Sequence, residues 1–173
     1  AFLDEGPPPV FLSLGSSEQV APERVRALLV EAARRSGRRC VLQFKSDRTE
    51  KASRDGALLF VPRVPHRPLF ARCAGVVHHG GAGTTHTTLA AGLPSIALGF
   101  VAEQLDWGRR VAAAGAGLAP RSFWRTSAGA LSDAVRRLAD DDALRRIAKS
   151  VGAQVAGEDG VTVACERVEE WWR

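Results

Sequence analysis

Residues 76–104 read VVHHGGAGTTHTTLAAGLPSIALGFVAEQ, and they contain two apolar segments separated by a glycine-rich turn and a short helix-forming segment. Val76 and Val77 are β-branched residues bounded by glycine, which predicts a short buried strand. Thr84–Ala91 contains neither proline nor glycine and predicts a helix with Thr84 at or near its start. Ser95–Leu98 is apolar and predicts a second strand. The glycines that follow Val77 therefore lie where a strand becomes a helix.

A glycine-rich turn at that junction is suited to binding an anion such as a diphosphate. Residues without Cβ let a ligand approach the backbone, and the unpaired N–H groups of the first helical turn point toward it. Attraction to a helix terminus is only about 0.3–1 kcal/mol at exposed sites, and up to roughly 2 when partly buried, so imidazole and hydroxyl donors are expected to contribute. The predicted phosphate-binding residues of this turn are His79, Gly80, Gly81, Gly83, Thr84 and Thr85.

Other interpretations of the turn remain open at this point. A glycine cluster before a helix also occurs as an ordinary structural turn. The string is not a Walker A loop, because no Gly-Lys-Ser/Thr follows, and it is not GxGxxG, because His86 occupies the last glycine position. The first strand-to-helix turn, Leu14–Ser17, has one glycine and two hydroxyls, so Ser16 and Ser17 are able to approach a phosphate.

Strands and helices alternate along the whole chain. This order predicts an α/β fold with a Rossmann-like parallel sheet covered by helices on both faces, whose ligands gather at the carboxyl ends of the strands. Three further helices are predicted in the last third, with Ser127, Asp141 and Asp159 as caps. The other predicted strands are Val10–Leu14, Arg39–Phe44 and Leu58–Val61, and the other predicted helices are Pro22–Arg35, Pro68–Arg72 and Gln104–Ala114.

The length and composition favour one ordinary domain. Residues 1–9, AFLDEGPPP, are expected to be an interdomain linker remnant, because three successive prolines stiffen the chain, and residues 10–173 are expected to form the domain. The chain has no transmembrane segment of 18 apolar residues and no signal peptide, so a cytoplasmic location is expected.

Neither metal binding nor nucleic-acid binding is expected from the composition. The net charge is +5, but the arginines are spread along helices rather than clustered. Cys40, Cys73 and Cys165 form no CxxC pattern and are expected to be buried thiols. The four tryptophans, which include Trp171 and Trp172, are expected to serve packing.

Four motifs, in this order, resemble the C-terminal, donor-binding domain of GT-B glycosyltransferases. They are PPPVFLSLGSS at 7–17, RVPHRPLF at 63–70, HHGGAGTT at 78–85 and AEQLDWGRRVAAAGAG at 102–117. The resemblance is to the group that includes plant UDP-glycosyltransferases, antibiotic glycosyltransferases and sterol glucosyltransferases. It implies the C-terminal half of a GT-B fold, with a nucleotide-sugar as donor substrate and no cofactor or metal.

The resemblance also implies roles for residues that match the family motifs. His79 would contact a donor phosphate, and the glycines and hydroxyls after it, with Ser16 and Ser17, would hold the diphosphate. The segment with Arg63, Val64 and His66 would receive the nucleobase, and Glu103 with Gln104 would hydrogen-bond the sugar hydroxyls. Thr87 stands where plant enzymes place a glutamate on the ribose, so both UDP-sugars and TDP-sugars remain possible donors.

The family's catalytic base and acceptor site belong to an N-terminal acceptor-binding domain with no counterpart in this sequence. The implied function is the donor half of an inverting, metal-independent hexosyltransferase that acts on a hydroxyl of a small lipophilic acceptor and is inactive alone. A free-standing nucleotide-diphosphate-binding module, or half of a split glycosyltransferase, is the alternative. A nucleotide-sugar epimerase is disfavoured, because Glu103 is the only obvious catalytic carboxylate.

Overall fold

The computed structural model describes residues 2–45 and 51–172. These residues form an α/β domain built on one sheet. Its strands are β1 (Val10–Leu12), β2 (Cys40–Gln43), β3 (Ser53–Asp55), β4 (Leu58–Val61), β5 (Gly75–His78), β6 (Ser95–Gly99) and β7 (Arg121–Ser122). Its helices are α1 (Pro22–Ser36), α2 (His66–Phe70), α3 (Ala82–Ala90), α4 (Ala102–Ala113), α5 (Ala128–Asp140), α6 (Asp142–Ala156) and α7 (Gly160–Trp172).

The sheet has the strand order β3-β4-β2-β1-β5-β6-β7, and only β3 runs antiparallel to its neighbour. Side chains alternate between two apolar clusters on its faces. Leu12 packs in one cluster with Leu29 of α1 and Leu138 of α5. Phe11 packs in the other cluster with Phe70 of α2. The mostly parallel sheet with helices on both faces, predicted from the sequence, is confirmed.

The register of the three central strands brings their carboxyl ends level. Leu12 of β1 lies opposite Leu42 of β2 and opposite Val77 of β5. The turns that follow these strands therefore meet at one edge of the sheet, and any site built from them draws on parts of the chain that are distant in sequence.

The structure differs from the predicted elements at several boundaries, since α2 begins at His66 rather than at Pro68 and α4 begins at Ala102 rather than at Gln104. Helix α3 begins at Ala82, two residues before Thr84. Two strands were not predicted: β3, which precedes β4 in the chain, and β7. The missed strands are short and polar: Ser53–Asp55 is exposed throughout, and Arg121–Ser122 has only two residues. Neither carries the apolar run by which a buried parallel strand is recognised.

The helical last third follows the prediction closely at its caps. The side chain of Ser127 accepts a hydrogen bond from the backbone N–H of Ala130, and that of Asp141 accepts one from Leu144. Asp159 accepts one from the backbone of Thr162. These bonds satisfy N–H groups that the first turn of a helix leaves without a backbone acceptor.

Helix α7 contains no buried residue, and this corrects two expectations. Cys165 is exposed, whereas Cys40 and Cys73 are buried, and burial raises the pKa of both buried thiols to about 12. Trp171 and Trp172 are 89% and 91% exposed, so they do not pack against the domain.

The segment before β1 contacts the domain. Phe2 is 6% exposed and belongs to the cluster around Phe11, and the guanidinium of Arg39 lies 4.2 Å from the centre of its ring. Arg39 also donates a hydrogen bond to the carbonyl of Pro7. The division into a linker and a domain stays a prediction. In the described residues, no helix combines the length and hydrophobicity that a membrane crossing requires.

Candidate functional site

A cleft of about 1020 Å³ opens at the carboxyl edge of the sheet. Its walls come from the turns after β1 and β2 and from the segment that leads into α2. Among the described residues, the lining carries three cations and no carboxylate. The lining residues are Ser13, Gly15, Ser16, Gln43, Phe44, Lys45, Arg63, Val64, Pro65, His66, Arg67, Pro68 and Thr87. A cationic cleft of this kind attracts an anionic ligand.

The residues predicted to receive a nucleobase lie together in this lining. His66 is the best defined of them, because its ring stacks on Phe70 with centroids 5.0 Å apart and planes inclined by 10°. The amide nitrogen of Gln43 donates to the carbonyl of Pro62, which leaves the amide oxygen 3.1 Å from Nε2 of His66. Nε2 therefore carries the proton and donates, and Nδ1 is an acceptor.

The electrostatic surroundings keep His66 neutral. Burial lowers the pKa of His66, and the nearby positive charge of Arg63 lowers it further. At neutral pH the imidazole therefore has one donor, Nε2–H, and one acceptor, Nδ1. A neutral ring with a fixed tautomer can tell a hydrogen-bond donor on the ligand from an acceptor. A protonated ring cannot, because both of its nitrogens donate.

The start of α3 offers backbone donors without side-chain competition. Its first backbone bond runs from the N–H of Thr85 to the carbonyl of Gly81, and no side chain caps the helix at Gly81. Within the described residues, the N–H groups of Ala82, Gly83 and Thr84 thus remain without acceptors. Three convergent N–H groups at a helix N-terminus are suited to holding an anion.

The imidazole of His79 lies beside this helix terminus. A Cβ added at Gly81 would overlap its Nε2, and a Cβ added at Gly15 would lie 3.3 Å from its Cε1. The ring is thus seated between two glycines, and one of them lines the cleft. Its Nδ1 is buried and has no hydrogen-bond partner in the described part of the chain. Burial lowers the pKa of His79, so the ring is neutral at pH 7.

The neighbouring His78 has a structural role. It is 1% exposed, and its Nδ1 accepts a hydrogen bond of 3.1 Å from the backbone N–H of Gly80. Burial lowers the pKa of His78 to about 3, with a further contribution from His79. His78 therefore supports the turn from inside the protein, and the role of His79 at a phosphate stays a prediction.

The two glycines after His79 are required by the protein itself. Gly80 has φ +88, and a Cβ there would overlap the backbone oxygen of Gln104. Gly81 makes room for the imidazole of His79. Gly83 differs from both, because it lies in the first turn of α3 with nothing within 4 Å of its Cβ position. Open space at Gly83 is compatible with its predicted place beside a diphosphate.

The threonines of α3 differ in what they can offer a ligand. Thr85 is buried, and its hydroxyl donates to the carbonyl of Gly81. The hydroxyl of Thr87 donates to the carbonyl of Gly83, so Thr87 presents only oxygen lone pairs to the cleft. Thr84 is half-buried in the first turn, so its backbone and side chain are the better placed of the predicted threonine donors.

The two residues predicted to bind the sugar differ in their surroundings: one side chain is exposed, and the other is hydrogen-bonded within the protein. Glu103 is exposed in the first turn of α4. The amide oxygen of Gln104 accepts from the backbone N–H of Phe100 at 2.7 Å, and its nitrogen donates to Oγ of Ser17 at 3.1 Å. Gln104 and Ser17 therefore join two turns, and one amide hydrogen of Gln104 remains for a ligand.

The structure brings one part of the predicted site into a single cleft. Of the predicted residues, Ser16 and the nucleobase group line it. The phosphate turn, Ser17 and the pair Glu103 and Gln104 lie outside the lining. His79 adjoins it at Gly15, and Gln104 is bonded to Ser17, the neighbour of the lining residue Ser16. Their assigned roles stay predictions. Sequence reasoning missed four polar lining residues, Ser13, Gln43, Lys45 and Arg67, although Ser13 and Lys45 closely follow the buried strands β1 and β2.

Comparison with known proteins gives the family. Residues 28–170 match the family described as erythromycin biosynthesis protein CIII-like, C-terminal domain. The chain belongs to this family of glycosyltransferase C-terminal domains. A crystal structure of the glycosyltransferase VinC in complex with DTDP superposes with a TM-score of 0.74 at 25% identity, covering 90% of this chain and 40% of that one. The fold is therefore the C-terminal half of a GT-B glycosyltransferase.

Curated relatives of this C-terminal domain act in antibiotic and sterol glycosylation. The O-mycaminosyltylonolide 6-deoxyallosyltransferase of Streptomyces fradiae is 35% identical over 98% of the chain, which spans 40% of that relative. The sterol 3-beta-glucosyltransferase UGT80A2 of Arabidopsis thaliana is 34% identical over 94% of the chain and 26% of its own length. The vancomycin aglycone glucosyltransferase of Amycolatopsis orientalis is 44% identical over 69% of the chain and 29% of its own length.

Proposed function

We propose that this domain binds the nucleoside diphosphate of a UDP-sugar or TDP-sugar. The base would lie against Arg63, Val64 and His66, and the diphosphate would lie at the start of α3. One observation carries the proposal. The unpaired N–H groups of the first turn of α3 and the unpartnered nitrogen of His79 occur together, and the His79 ring adjoins Gly15 of the cleft wall.

The proposed reaction is inverting, metal-independent transfer of a hexose to a hydroxyl of a small lipophilic acceptor. The names of the relatives, an aglycone glucosyltransferase and a sterol glucosyltransferase among them, support this acceptor class. The residues at the start of α3 would stabilise the charge that develops on the departing diphosphate. Backbone donors that are already in place need little reorganisation during the reaction.

Transfer is proposed to need a second domain. The chain spans 40% of the length of the deoxyallosyltransferase, and the imidazole of His66 in the described cleft is assigned to the nucleobase rather than to an acceptor hydroxyl. The chain alone is therefore expected to bind donor without turnover. The same property is expected of the alternative function, a binding module, and adding an N-terminal acceptor-binding domain distinguishes the two: only the transferase half would regain transfer. The predicted cytoplasmic location stays a prediction.

A calorimetric titration tests the binding proposal. UDP, TDP, uridine, thymidine and pyrophosphate are titrated separately against the protein at one ionic strength. Both nucleoside diphosphates, or one of them, should bind much more tightly than the matching nucleoside, because the helix terminus and His79 address the diphosphate. Equal affinity for nucleoside and nucleoside diphosphate would contradict a phosphate site at α3.

A further inference from the structure

The turn after β1 contacts three of the other turns that surround the site. This turn forms a short 3-10 helix, Gly15–Val20. Gly15 lies against the ring of His79 after β5, and Ser17 accepts the hydrogen bond of Gln104 from the start of α4. The third contact is made by Glu18. It reaches the segment after the neighbouring strand β2, which forms another wall of the cleft.

Glu18 is a charged side chain in an unusual place. It is 1% exposed, and its Oε2 accepts a hydrogen bond of 2.6 Å from the backbone N–H of Lys45. Burying a carboxylate costs free energy unless hydrogen bonds compensate, and bonds to an ionised acceptor are the stronger ones. The Glu18 carboxylate therefore fixes the position of Lys45 firmly.

The Glu18 bond joins two walls of the cleft. Gly15 and Ser16, in the same turn as Glu18, line one wall, whereas Phe44 and Lys45 line the other. Residues of the first turn adjoin the proposed phosphate site through His79. The second wall continues into Gln43, which orients His66 at the proposed base site. A ligand that occupies both ends of the cleft depends on the spacing of these walls.

We propose that Glu18 is a positioning residue for the nucleoside diphosphate, holding the wall after β2 at the separation that lets one ligand contact both ends. The proposal rests on the proposed function. Preorganised walls raise affinity because ordering them during binding is avoided. Loss of this positioning should weaken the binding of ligands that span the cleft. It should not weaken the binding of fragments that occupy only one end of the cleft.

Three variants of Glu18 separate its hydrogen bond from its charge. Glu18→Ala removes both. Glu18→Asp keeps the charge but shortens the reach by one methylene. Glu18→Gln removes the charge but keeps an oxygen that can accept from Lys45. Positioning predicts that Ala and Asp weaken the binding of UDP or TDP by about tenfold, which is less than the full worth of a bond to a charged acceptor, and that Gln weakens it less than either, because its amide oxygen still accepts from Lys45.

The experiment measures calorimetric affinities for UDP, TDP and pyrophosphate together with thermal unfolding. The control is Glu23→Ala, which removes an exposed carboxylate from the start of α1 and should change no affinity. Pyrophosphate should bind every variant as it binds the parent. If Glu18→Ala does not fold, the comparison of Asp with Gln carries the test.

The outcomes separate this proposal from the proposed function. If the parent binds neither UDP nor TDP, the function itself is wrong. If the parent binds them and the Ala or Asp variant binds equally well, Glu18 has no positioning role, whatever happens to its melting temperature. Retained affinity in Asp with loss in Gln would also overturn the proposal, because charge rather than reach would then matter.

Discussion

Glycine-to-alanine substitutions at Gly80, Gly37 and Gly83 test how the phosphate turn is built. Gly37 has φ +65 and nothing within 4 Å of its Cβ position, so alanine there meets only the cost of the left-handed conformation. That cost is about 1–2 kcal/mol. Gly37→Ala thus serves as a control, because it carries the cost of the left-handed backbone but causes no steric overlap.

Gly80→Ala should be clearly more destabilising than this control. Gly80 has φ +88, and its new Cβ would overlap the backbone oxygen of Gln104. That oxygen belongs to the first turn of α4, so relief of the overlap requires a shift of the helix against β5. Overpacking of this kind costs about 1–3 kcal/mol, which with the left-handed cost gives a total of roughly 2–5 kcal/mol.

Gly83→Ala should raise the free energy of unfolding, whereas the other two substitutions should lower it. The residue lies inside α3, its backbone is not left-handed, and its Cβ position is open. Alanine is preferred over glycine in a helix by up to about 1 kcal/mol, so a gain of about 0.5 kcal/mol is expected near the helix end.

Urea unfolding followed by circular dichroism gives the three free energies of unfolding. The expected order of stability is Gly83→Ala, parent, Gly37→Ala and Gly80→Ala, with similar m-values throughout. The reasoning is refuted if Gly80→Ala costs no more than Gly37→Ala, because the contact with Gln104 would then not constrain the turn. A destabilised Gly83→Ala would contradict the helical position of Gly83.

Three further predictions concern other parts of the molecule. Burial lowers the pKa of His78 from 6.5 to about 3, so the unfolded chain takes up the proton first; the contribution of the neutral ring to stability is complete above pH 6.5 and is lost as the pH falls toward 3. Urea unfolding should show a loss of about 1.4 kcal/mol per pH unit or more below pH 6, because burial also lowers the pKa values of His66 and His79, whereas a flat profile down to pH 4.5 would contradict the burial of His78. Trp171→Ala and Trp172→Ala should leave the melting temperature of the domain unchanged, because both rings are exposed, and a fall of several degrees would show that α7 is packed. Glu103→Ala should weaken a nucleotide sugar by less than the 1.5–3 kcal/mol of a shielded bond and spare the bare nucleoside diphosphate, and calorimetric losses that are equal for both ligands would remove Glu103 from the sugar site.

Local sequence patterns predicted the elements that carry the apolar core. Val10, Val76 and Ile96 mark buried parallel strands, and Ser127 and Asp141 mark helix starts, because each signal lies within a few residues of the feature it predicts. The strand Ser53–Asp55 was missed because its side chains are polar and exposed and it pairs at the edge of the sheet. Its position depends on β4 rather than on its own composition.

The sequence predicted which types of residue form the candidate site, but it did not predict which of them contact one another. The glycine-rich turn indicated a helix terminus open to an anion, and the structure has that terminus at Ala82. The bond between Ser17 and Gln104 joins residues 87 positions apart, and no local pattern reports it. Glu18 gave no signal either, because its burial follows from the meeting of two turns at the sheet edge.

The central claim is that His79 and the start of α3 bind the diphosphate of a nucleotide. Calorimetric titration of the parent, His79→Ala and the exposed-site control His86→Ala with UDP and TDP tests it most directly. The parent and His86→Ala should bind alike, while His79→Ala should bind about 1.5–3 kcal/mol more weakly with an unchanged circular dichroism spectrum. Equal affinities of all three proteins would contradict the account.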